Sequence, residues 1–414
     1  MTGLVQPMVA IAVSFSCLAV MLYKRLNLGI TLTATAFILA LLALPWEQVP
    51  SVVYDTSASP LTISVVTATF LIMWLSQLYK ETSFIDKLSE SLGKIIKNPK
   101  LVLCVLPAII GFLPVAGGAL MSAPLVEAQG EKLGLTDQKK AYINLWFRHT
   151  IFPVYPLSQV LIVTAGLVGT TVYTIILRQI PVVAVMVVVG YVIGFWKIPN
   201  PNKQKDSEKK NLNSSMKTFL LTFTPILASI VTAVIFEIVA FDLARLGFDV
   251  LVATAVGILI LVALSKPSAQ TCVKPLKTLG IYGITLAAYS AFLLGNIMKS
   301  IGLQEIFKIV VADGNANSLL LLIAVPAVLG VLTASALGGV SIGIPLLLGV
   351  LTPSAQMASL AYMSAYLGYV ISPTHLCFTF TARYFKCPLG KAYKYLTPSF
   401  ILTFTTAILI YILA

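Results

Sequence analysis

Charged residues are scarce in this sequence, and histidine is almost absent. Only 10% of the 414 residues are charged and 2 are histidines, whereas 58% are hydrophobic. The mean hydropathy is +0.94. Because a soluble domain carries about 25% charged residues, this composition excludes a soluble enzyme. Long apolar runs are present instead, and about 20 apolar residues are enough to span a bilayer as a helix.

The sequence also lacks the common patterns of metal centres and enzymes. Its 5 cysteines are scattered and form no CxxC pair, which argues against a disulfide framework and against a zinc site. It contains no HExxH and no Walker phosphate loop. The sequence therefore predicts a protein that is not an enzyme, with no metal and no cofactor other than a coupling sodium ion.

Apolar runs predict the transmembrane helices. They cover residues 3–23, 28–45, 61–79, 142–168, 181–196, 219–241, 250–265, 279–298, 356–381 and 398–413. Two further runs, residues 101–126 and 318–350, are each interrupted by a Gly-Gly pair. We therefore predict an all-α polytopic membrane protein with about ten transmembrane helices plus two re-entrant hairpins.

The positions of the basic residues predict the topology. If both interrupted runs are hairpins and the loop after the first helix is cytoplasmic, 23 of the 28 Lys and Arg residues lie in cytoplasmic loops. Counting the two runs as full spans destroys this positive-inside bias. We therefore expect both termini outside the cell, and a first helix that is a span rather than a cleaved signal peptide. The net charge of +13 then reflects loop placement and not nucleic-acid binding.

Three segments differ from ordinary loops. Residues 83–97 place Phe84, Leu88, Leu92 and Ile95 on one face, which predicts a short amphipathic helix along the inner membrane surface. Residues 303–311 are similar, and we expect them at the outer surface. Residues 197–217 are polar and predict a flexible cytoplasmic linker between two halves of the chain.

The two halves of the sequence resemble each other. Residues 106–126 (LPAIIGFLPVAGGALMSAPLV) and 325–347 (VPAVLGVLTASALGGVSIGIPLL) share proline and glycine positions at offsets of 219 and 221. Pro153 and Pro373 match at an offset of 220. Five predicted spans separate the two hairpins, so the second repeat is predicted to be inverted. Inverted repeats joined by a linker are typical of secondary transporters.

Each repeat has two breaks at membrane depth, a hairpin tip and a proline-interrupted span at residues 149–156 or 371–375. Backbone freed there can hold a cation through carbonyls or an anion through helix N-termini. The alternative is that glycine and proline only permit close packing or kinks. The predicted substrate- or ion-binding residues are Pro114, Gly117, Gly118, Ser122, Arg148, His149, Thr333, Ser335, Gly338, Gly339, Ser341, Ser372, Thr374 and His375.

Arg148 is the basic residue inside a predicted span. A buried arginine is costly and should face protein or water. We interpret Arg148 as the group that attracts an anionic substrate, with His149 or His375 as hydrogen-bond donor, and the alternative is a purely structural role. Glu237 is the one carboxylate well inside a span and lies near its outer end, so sodium held by carbonyl and hydroxyl oxygens is favoured over proton coupling.

The phrases LPVAGGALMSAP (113–124), WFRH (146–149), PVYP (153–156) and ISPTH (371–375) resemble the domain of unknown function 401 family. The order of hairpins and interrupted spans resembles the ion transporter superfamily. This resemblance covers nearly the whole chain and implies an elevator-type carrier with a homodimer interface on its scaffold. The implied divisions are scaffold helices at 1–79 and 169–298, transport-domain repeats at 80–168 and 299–381, and a C-terminal helix at 382–414. The Ser-Asn-Thr hairpin signature of the dicarboxylate branch is missing, so its substrate and ion are not transferred.

The sequence therefore predicts a secondary active transporter in the plasma membrane. Its expected solute is a small, organic-acid-like anion, coupled to sodium and moved by an elevator mechanism. Its expected partners are the lipid bilayer, that solute and a second copy of the chain, with no nucleic acid. Two alternatives stay open, namely a cation/proton antiporter on the same fold and a membrane scaffold that does not transport.

Overall fold

The computed structural model describes residues 2–112, 118–199, 212–302, 317–348 and 350–413, and every regular element within them is helical. In chain order the helices are α1 (Thr2–Tyr23), α2 (Leu28–Ala43), α3 (Val49–Ala58), α4 (Pro60–Glu81), α5 (Phe84–Ile95), α6 (Pro99–Gly111), α7 (Ala119–Lys132), α8 (Asp137–His149), α9 (Gln159–Val168), α10 (Val172–Phe195), α11 (Leu212–Val239), α12 (Phe241–Ala244), α13 (Phe248–Ser265), α14 (Ala269–Val273), α15 (Leu279–Ser300), α16 (Ser318–Thr333), α17 (Ala336–Leu347), α18 (Ala355–Ile371), α19 (Leu376–Tyr384) and α20 (Leu389–Leu413).

Among the described residues, 7 helical segments are long and apolar enough to cross a membrane: α4, α8 with α9, α10, α11, α13, α15 and α20. Many of their exposed side chains are large and apolar, such as Leu259 and Ile412, which is typical of helices that face lipid. The predicted multi-pass helical fold is therefore confirmed at this level. Three of the predicted spans, at α1, α2 and α18 with α19, are not among the 7, so the number of crossings stays a prediction.

Two series of helices follow the same order along the chain. The first is α4, the short helices α6 and α7, the interrupted pair α8–α9, and α10. The second is α15, the short helices α16 and α17, the interrupted pair α18–α19, and α20. Contacts cross between the series in a matching way, because α7 packs on α19 and α17 packs on α9, while α10 packs on α20. The two series therefore pack against each other through these helices.

The short helices do not reach the length of a membrane span. α6 has 13 residues and α7 has 14, while α16 has 16 and α17 has 12. A straight span needs about 20 residues. Residues 113–117 join α6 to α7 and lie outside the described residues. In the second series Ala334 and Ser335 make the connection, and Ala334 adopts the left-handed conformation, with φ of 48°, that ends α16.

Both interrupted helices have a protein partner for the carbonyl group freed at the break. α8 ends at His149, and the hydroxyl of Tyr366 donates to the His149 carbonyl. α18 ends at Ile371, and the hydroxyl of Tyr393 donates to the Ile371 carbonyl at 2.6 Å. Backbone that leaves a helix at membrane depth requires such a partner. The prediction that the proline-containing stretches interrupt their spans agrees with these helix ends.

The amphipathic helix predicted at residues 83–97 is present as α5. Its apolar face is covered by protein, since Phe84, Ile85 and Leu88 are at most 3% exposed and α5 packs against α11. The similar segment predicted at residues 303–311 lies outside the described residues, as does most of the predicted linker at 197–217. The apolar face of α5 therefore packs against the helix bundle. The amphipathic pattern alone does not show whether such a face contacts protein or lipid.

Candidate functional site

A cavity of about 270 Å³ lies where the interrupted helices of the two series meet. Its walls come from the stretch between the end of α8 and the start of α9, from the α16–α17 junction, from α18 and from the start of α19. The charged and polar side chains on these walls are Arg148, His149, Ser158, Gln159, Ser335, His375 and Cys377, together with four tyrosines. No acidic side chain lies among the described residues that line the cavity.

Arg148 lies in the last turn of α8 and is only 1% exposed. Its guanidinium lies against Gly118, the residue directly before α7, so closely that a Cβ atom at position 118 would overlap it. A glycine at this position is therefore a steric requirement for the observed position of the arginine. The contact joins the positive charge of the cavity to the short helices of the first series.

The two histidines of the chain lie next to each other on the cavity wall. The ring centroids of His149 and His375 are 4.9 Å apart with an interplanar angle of 89°, and both side chains are buried. Nδ1 of His149 lies 2.7 Å from the Leu145 carbonyl. Because a carbonyl only accepts, Nδ1 carries the proton. Nε2 of the neutral ring then offers a lone pair, so the predicted role of His149 as donor to an anion requires a protonated ring.

Tyrosine side chains form much of the remaining wall. Tyr362, Tyr366 and Tyr369 recur at the i, i+4 and i+7 positions of α18 and therefore share one helix face. The rings of Tyr362 and Tyr366 stack with centroids 5.6 Å apart, and the ring of Tyr369 lies 3.9 Å from that of His375. These tyrosines are not among the predicted site residues, although their helical spacing is visible in the sequence.

The α16–α17 junction brings several predicted hydroxyl groups together. Thr333 donates to the Ser335 carbonyl at 3.0 Å, and Ser335 also caps α17 and lines the cavity. Ser372 donates to a carbonyl of α16 at 2.7 Å, and its hydroxyl lies 3.1 Å from that of Thr374. Thr374 itself is exposed. The result is a cluster of hydroxyl and carbonyl oxygens beside the cavity.

The other predicted glycines of the second series serve helix packing and do not line the cavity. A Cβ atom at Gly338 would meet Thr333 at 2.6 Å, and one at Gly339 would meet Ala365 at 2.7 Å. These two positions therefore favour the packing alternative that the sequence left open. Pro114 and Gly117 lie outside the described residues.

Of the two remaining predicted serines, neither lines the cavity. Ser122 donates to Oδ1 of Asn144 at 2.6 Å, inside the contact between α7 and α8. Ser341 is fully buried in α17, and its hydroxyl has no hydrogen-bond partner among the described residues. Arg148, His149, Ser335 and His375 are thus the predicted residues that come together at the cavity.

Two functional candidates are not among the residues predicted from the sequence. Cys377 lies two residues beyond His375 and lines the cavity. Asp249 lies in the first turn of α13, is 1% exposed, and neither of its carboxylate oxygens has a hydrogen-bond partner among the described residues. Because Asp249 directly precedes the apolar run that begins at residue 250, the sequence pattern does not place its carboxylate inside a span.

The architecture defines a multi-pass helical membrane protein. It is similar to the Alcanivorax borkumensis YdaH transporter, with a TM-score of 0.64 and 12% sequence identity over 88% of each chain. It is also similar to MtrF of Neisseria gonorrhoeae, described as one of a class of antimetabolite efflux pumps. That TM-score is 0.58, with 10% identity over 88% of this chain and 83% of that one. At these identities the likeness concerns the fold.

The chain belongs to the family described as protein of unknown function DUF401, whose model matches residues 8–414. This confirms the family predicted from the hairpin and WFRH phrases. No curated protein matches the sequence. The broader ion transporter superfamily assignment stays a prediction.

Proposed function

We propose that the protein is a secondary transporter that binds a small organic anion beside Arg148. The observation that carries this proposal is a buried guanidinium on a cavity whose described lining contains no acidic residue. A positive charge attracts an anion more strongly in a low-dielectric site than in water. A carboxylate matches the guanidinium geometry through two parallel hydrogen bonds. The likeness to two transporter structures supports the same class of function.

The size and walls of the cavity narrow the solute class. A volume of about 270 Å³ lies just below the roughly 300–1,000 Å³ found for small-molecule sites. Tyrosine rings offer apolar and aromatic contact area with a polar edge. We therefore infer a small carboxylate with an apolar or aromatic part, whose charged end lies at Arg148 and whose ring or chain lies against Tyr362 and Tyr366.

The transport cycle is proposed on the same basis. α6–α7 and α16–α17 are too short to span the membrane, and we propose that they are re-entrant hairpins of two inverted repeats. Residues 80–168 and 299–381 would form a transport domain that moves as an elevator against a dimeric scaffold in the plasma membrane. Both termini would face outward, as the basic loops predict. Sodium would bind the oxygen cluster at Thr333, Ser335 and Ser372, since freed carbonyls at broken helices suit this ion.

A thermal unfolding screen tests the binding step. The purified protein is heated with benzoate, phenylacetate, succinate or citrate, with and without sodium. Aromatic carboxylates are expected to raise the unfolding midpoint of the wild type, because a ligand that binds only the folded state stabilises it. Arg148→Gln should abolish the shift, whereas Arg383→Gln, at an exposed arginine, should keep it. Equal shifts in the wild type and Arg148→Gln would contradict the proposal.

A cation/proton antiporter is the second candidate, and Asp249 favours it. This carboxylate is buried, and its oxygens lack hydrogen-bond partners among the described residues. Buried carboxylates in membrane helices are common proton carriers. Proteoliposomes with an internal pH dye distinguish the two functions. Cation-driven proton flux that needs no organic anion and is lost in Asp249→Asn would support the antiporter, while its absence would leave anion transport.

A further inference from the structure

Three side chains on the cavity wall form a group that anion binding at Arg148 does not require. His149, His375 and Cys377 are all buried, and each offers one ligand atom within 4.8 Å of the other two. Within the described part of the chain, this is the only such group of three or more His, Cys, Asp or Glu residues. His149 is the last residue of α8 in the first series, whereas His375 and Cys377 lie at the start of α19 in the second series.

A backbone carbonyl holds the His149 ring in a form suited to metal binding, and the His375 ring lies near a second carbonyl. Nδ1 of His149 donates to the Leu145 carbonyl at 2.7 Å, and Nδ1 of His375 lies 3.5 Å from the Val370 carbonyl. Nε2 of each ring is buried and has no hydrogen-bond partner among the described residues. Metal-binding histidines commonly donate their second ring nitrogen to a carbonyl, which fixes the tautomer and the ring orientation.

We propose that His149, His375 and Cys377 bind a metal ion of the Zn²⁺ class, with a fourth coordination position open to the cavity. Imidazole and thiolate ligands select zinc and softer transition metals, whereas Mg²⁺ and Ca²⁺ prefer oxygen ligands. Bonds of about 2.0–2.3 Å in a tetrahedral site place ligand atoms roughly 3.3–3.8 Å apart. The three ligand atoms lie up to 4.8 Å apart, so on metal binding they need to approach by at most about 1–1.5 Å, a movement that side-chain rotation can supply.

The charge of Arg148 on the same cavity opposes a bound cation. The Cys377 thiolate offsets one positive charge, and an anion in the open fourth position would offset another. The site is thus suited to a metal ion whose fourth ligand is chloride or a carboxylate. Metal binding does not depend on the proposed transport activity, because it is measured with the metal alone.

Cobalt titration of the full-length, metal-free protein in detergent tests the proposal. Co²⁺ substitutes for Zn²⁺ and gives a thiolate-to-metal charge-transfer absorption when a cysteine is a ligand. We expect 1:1 binding with this absorption, displacement by Zn²⁺ and no displacement by excess Mg²⁺. Cys377→Ser should lose the charge-transfer band. Cys104→Ser is the matched control, because Cys104 and Cys377 are equally buried at 8% exposure and Cys104 does not line the cavity.

His375→Asn provides a second variant of similar size, and it should weaken cobalt binding at least tenfold. The circular dichroism and gel-filtration profile of each variant show that it is folded. Absence of the band in the folded wild type overturns the proposal. Persistence of the band in Cys377→Ser, or its loss in Cys104→Ser, also overturns it.

Discussion

The guanidinium of Arg148 occupies the space that any side chain at Gly118 would need. The Arg148 guanidinium thus forms the contact between the last turn of α8 and the start of α7. Arg148 also lines the cavity. Movement of the short helices relative to α8 would change the position of the guanidinium. The contact therefore links the backbone of the first series to the proposed anion site.

Gly118→Ala should weaken anion binding while the fold is kept. The added Cβ atom would overlap the guanidinium, so Arg148 must move away from its position. We expect carboxylate affinity to fall at least tenfold, or about 1.4 kcal/mol, measured by ligand-dependent shifts of the unfolding midpoint. Gly280→Ala is the control, because a Cβ atom there meets nothing within 4 Å. Unchanged affinity in Gly118→Ala would show that the contact has no role in binding.

Tyr366→Phe should destabilise the protein by leaving the His149 carbonyl without its donor. An unsatisfied buried carbonyl costs about 1–3 kcal/mol. Tyr393→Phe should have a similar effect at the second break, where the hydroxyl donates to Ile371 at 2.6 Å. The midpoint of thermal unfolding in detergent measures both effects. The exposed Tyr282, which donates to the Leu276 carbonyl, serves as control, and Tyr282→Phe should leave the midpoint nearly unchanged.

Asn144→Ala should destabilise the packing of α8 on α7 and α19. The Asn144 amide accepts from Ser122 at 2.6 Å, donates to the Ala119 carbonyl at 2.9 Å and reaches Thr381 at 3.2 Å. Loss of several buried hydrogen bonds should cost about 2–4 kcal/mol. Asn296→Ala removes one half-buried hydrogen bond, to Thr56, and should cost less. An equal loss of stability in both variants would contradict this account of Asn144.

Two substitutions in α5 should separate packing from surface charge. Leu88 is fully buried, so Leu88→Ala should cost about 2–5 kcal/mol. The exposed side chains of Glu90 and Lys94 form an ion pair at 2.6 Å. The hydrogen bond from Lys94 and its positive charge lower the pKa of the Glu90 carboxyl. Any stabilisation from this pair is present at neutral pH and lost as the pH falls through that pKa. Because the pair is exposed, Glu90→Gln should not shift the unfolding midpoint measurably.

The sequence predicted where α8 and α18 end better than it predicted which residues line the cavity. Proline and glycine act locally, so the ends of α8 and α18 could be placed within a few residues. α8 begins earlier than expected, at Asp137 instead of residue 142, because Thr136 caps it by accepting from the Lys139 amide. The hydrophobic run could not show this, since the first turn of the helix is polar.

Arg148, His149 and His375 were predicted as site residues because charge and histidine are rare in an apolar chain. The sequence does not predict the tyrosine face of α18 or the thiol of Cys377 as parts of the site. Tyrosine and cysteine occur equally often in apolar helices where they only pack against neighbours. Their position depends on which helix of the other series lies opposite. That long-range pairing is set by the whole bundle, not by the local sequence.

Uptake into proteoliposomes tests whether Arg148 forms the transport site. The radiolabelled carboxylate that stabilises the protein most in the thermal screen is supplied outside, with a sodium gradient directed inward. The wild type and Arg383→Gln are predicted to accumulate the carboxylate, while Arg148→Gln remains at the level of protein-free liposomes. Accumulation by Arg148→Gln at the wild-type rate would contradict a transport site built on Arg148.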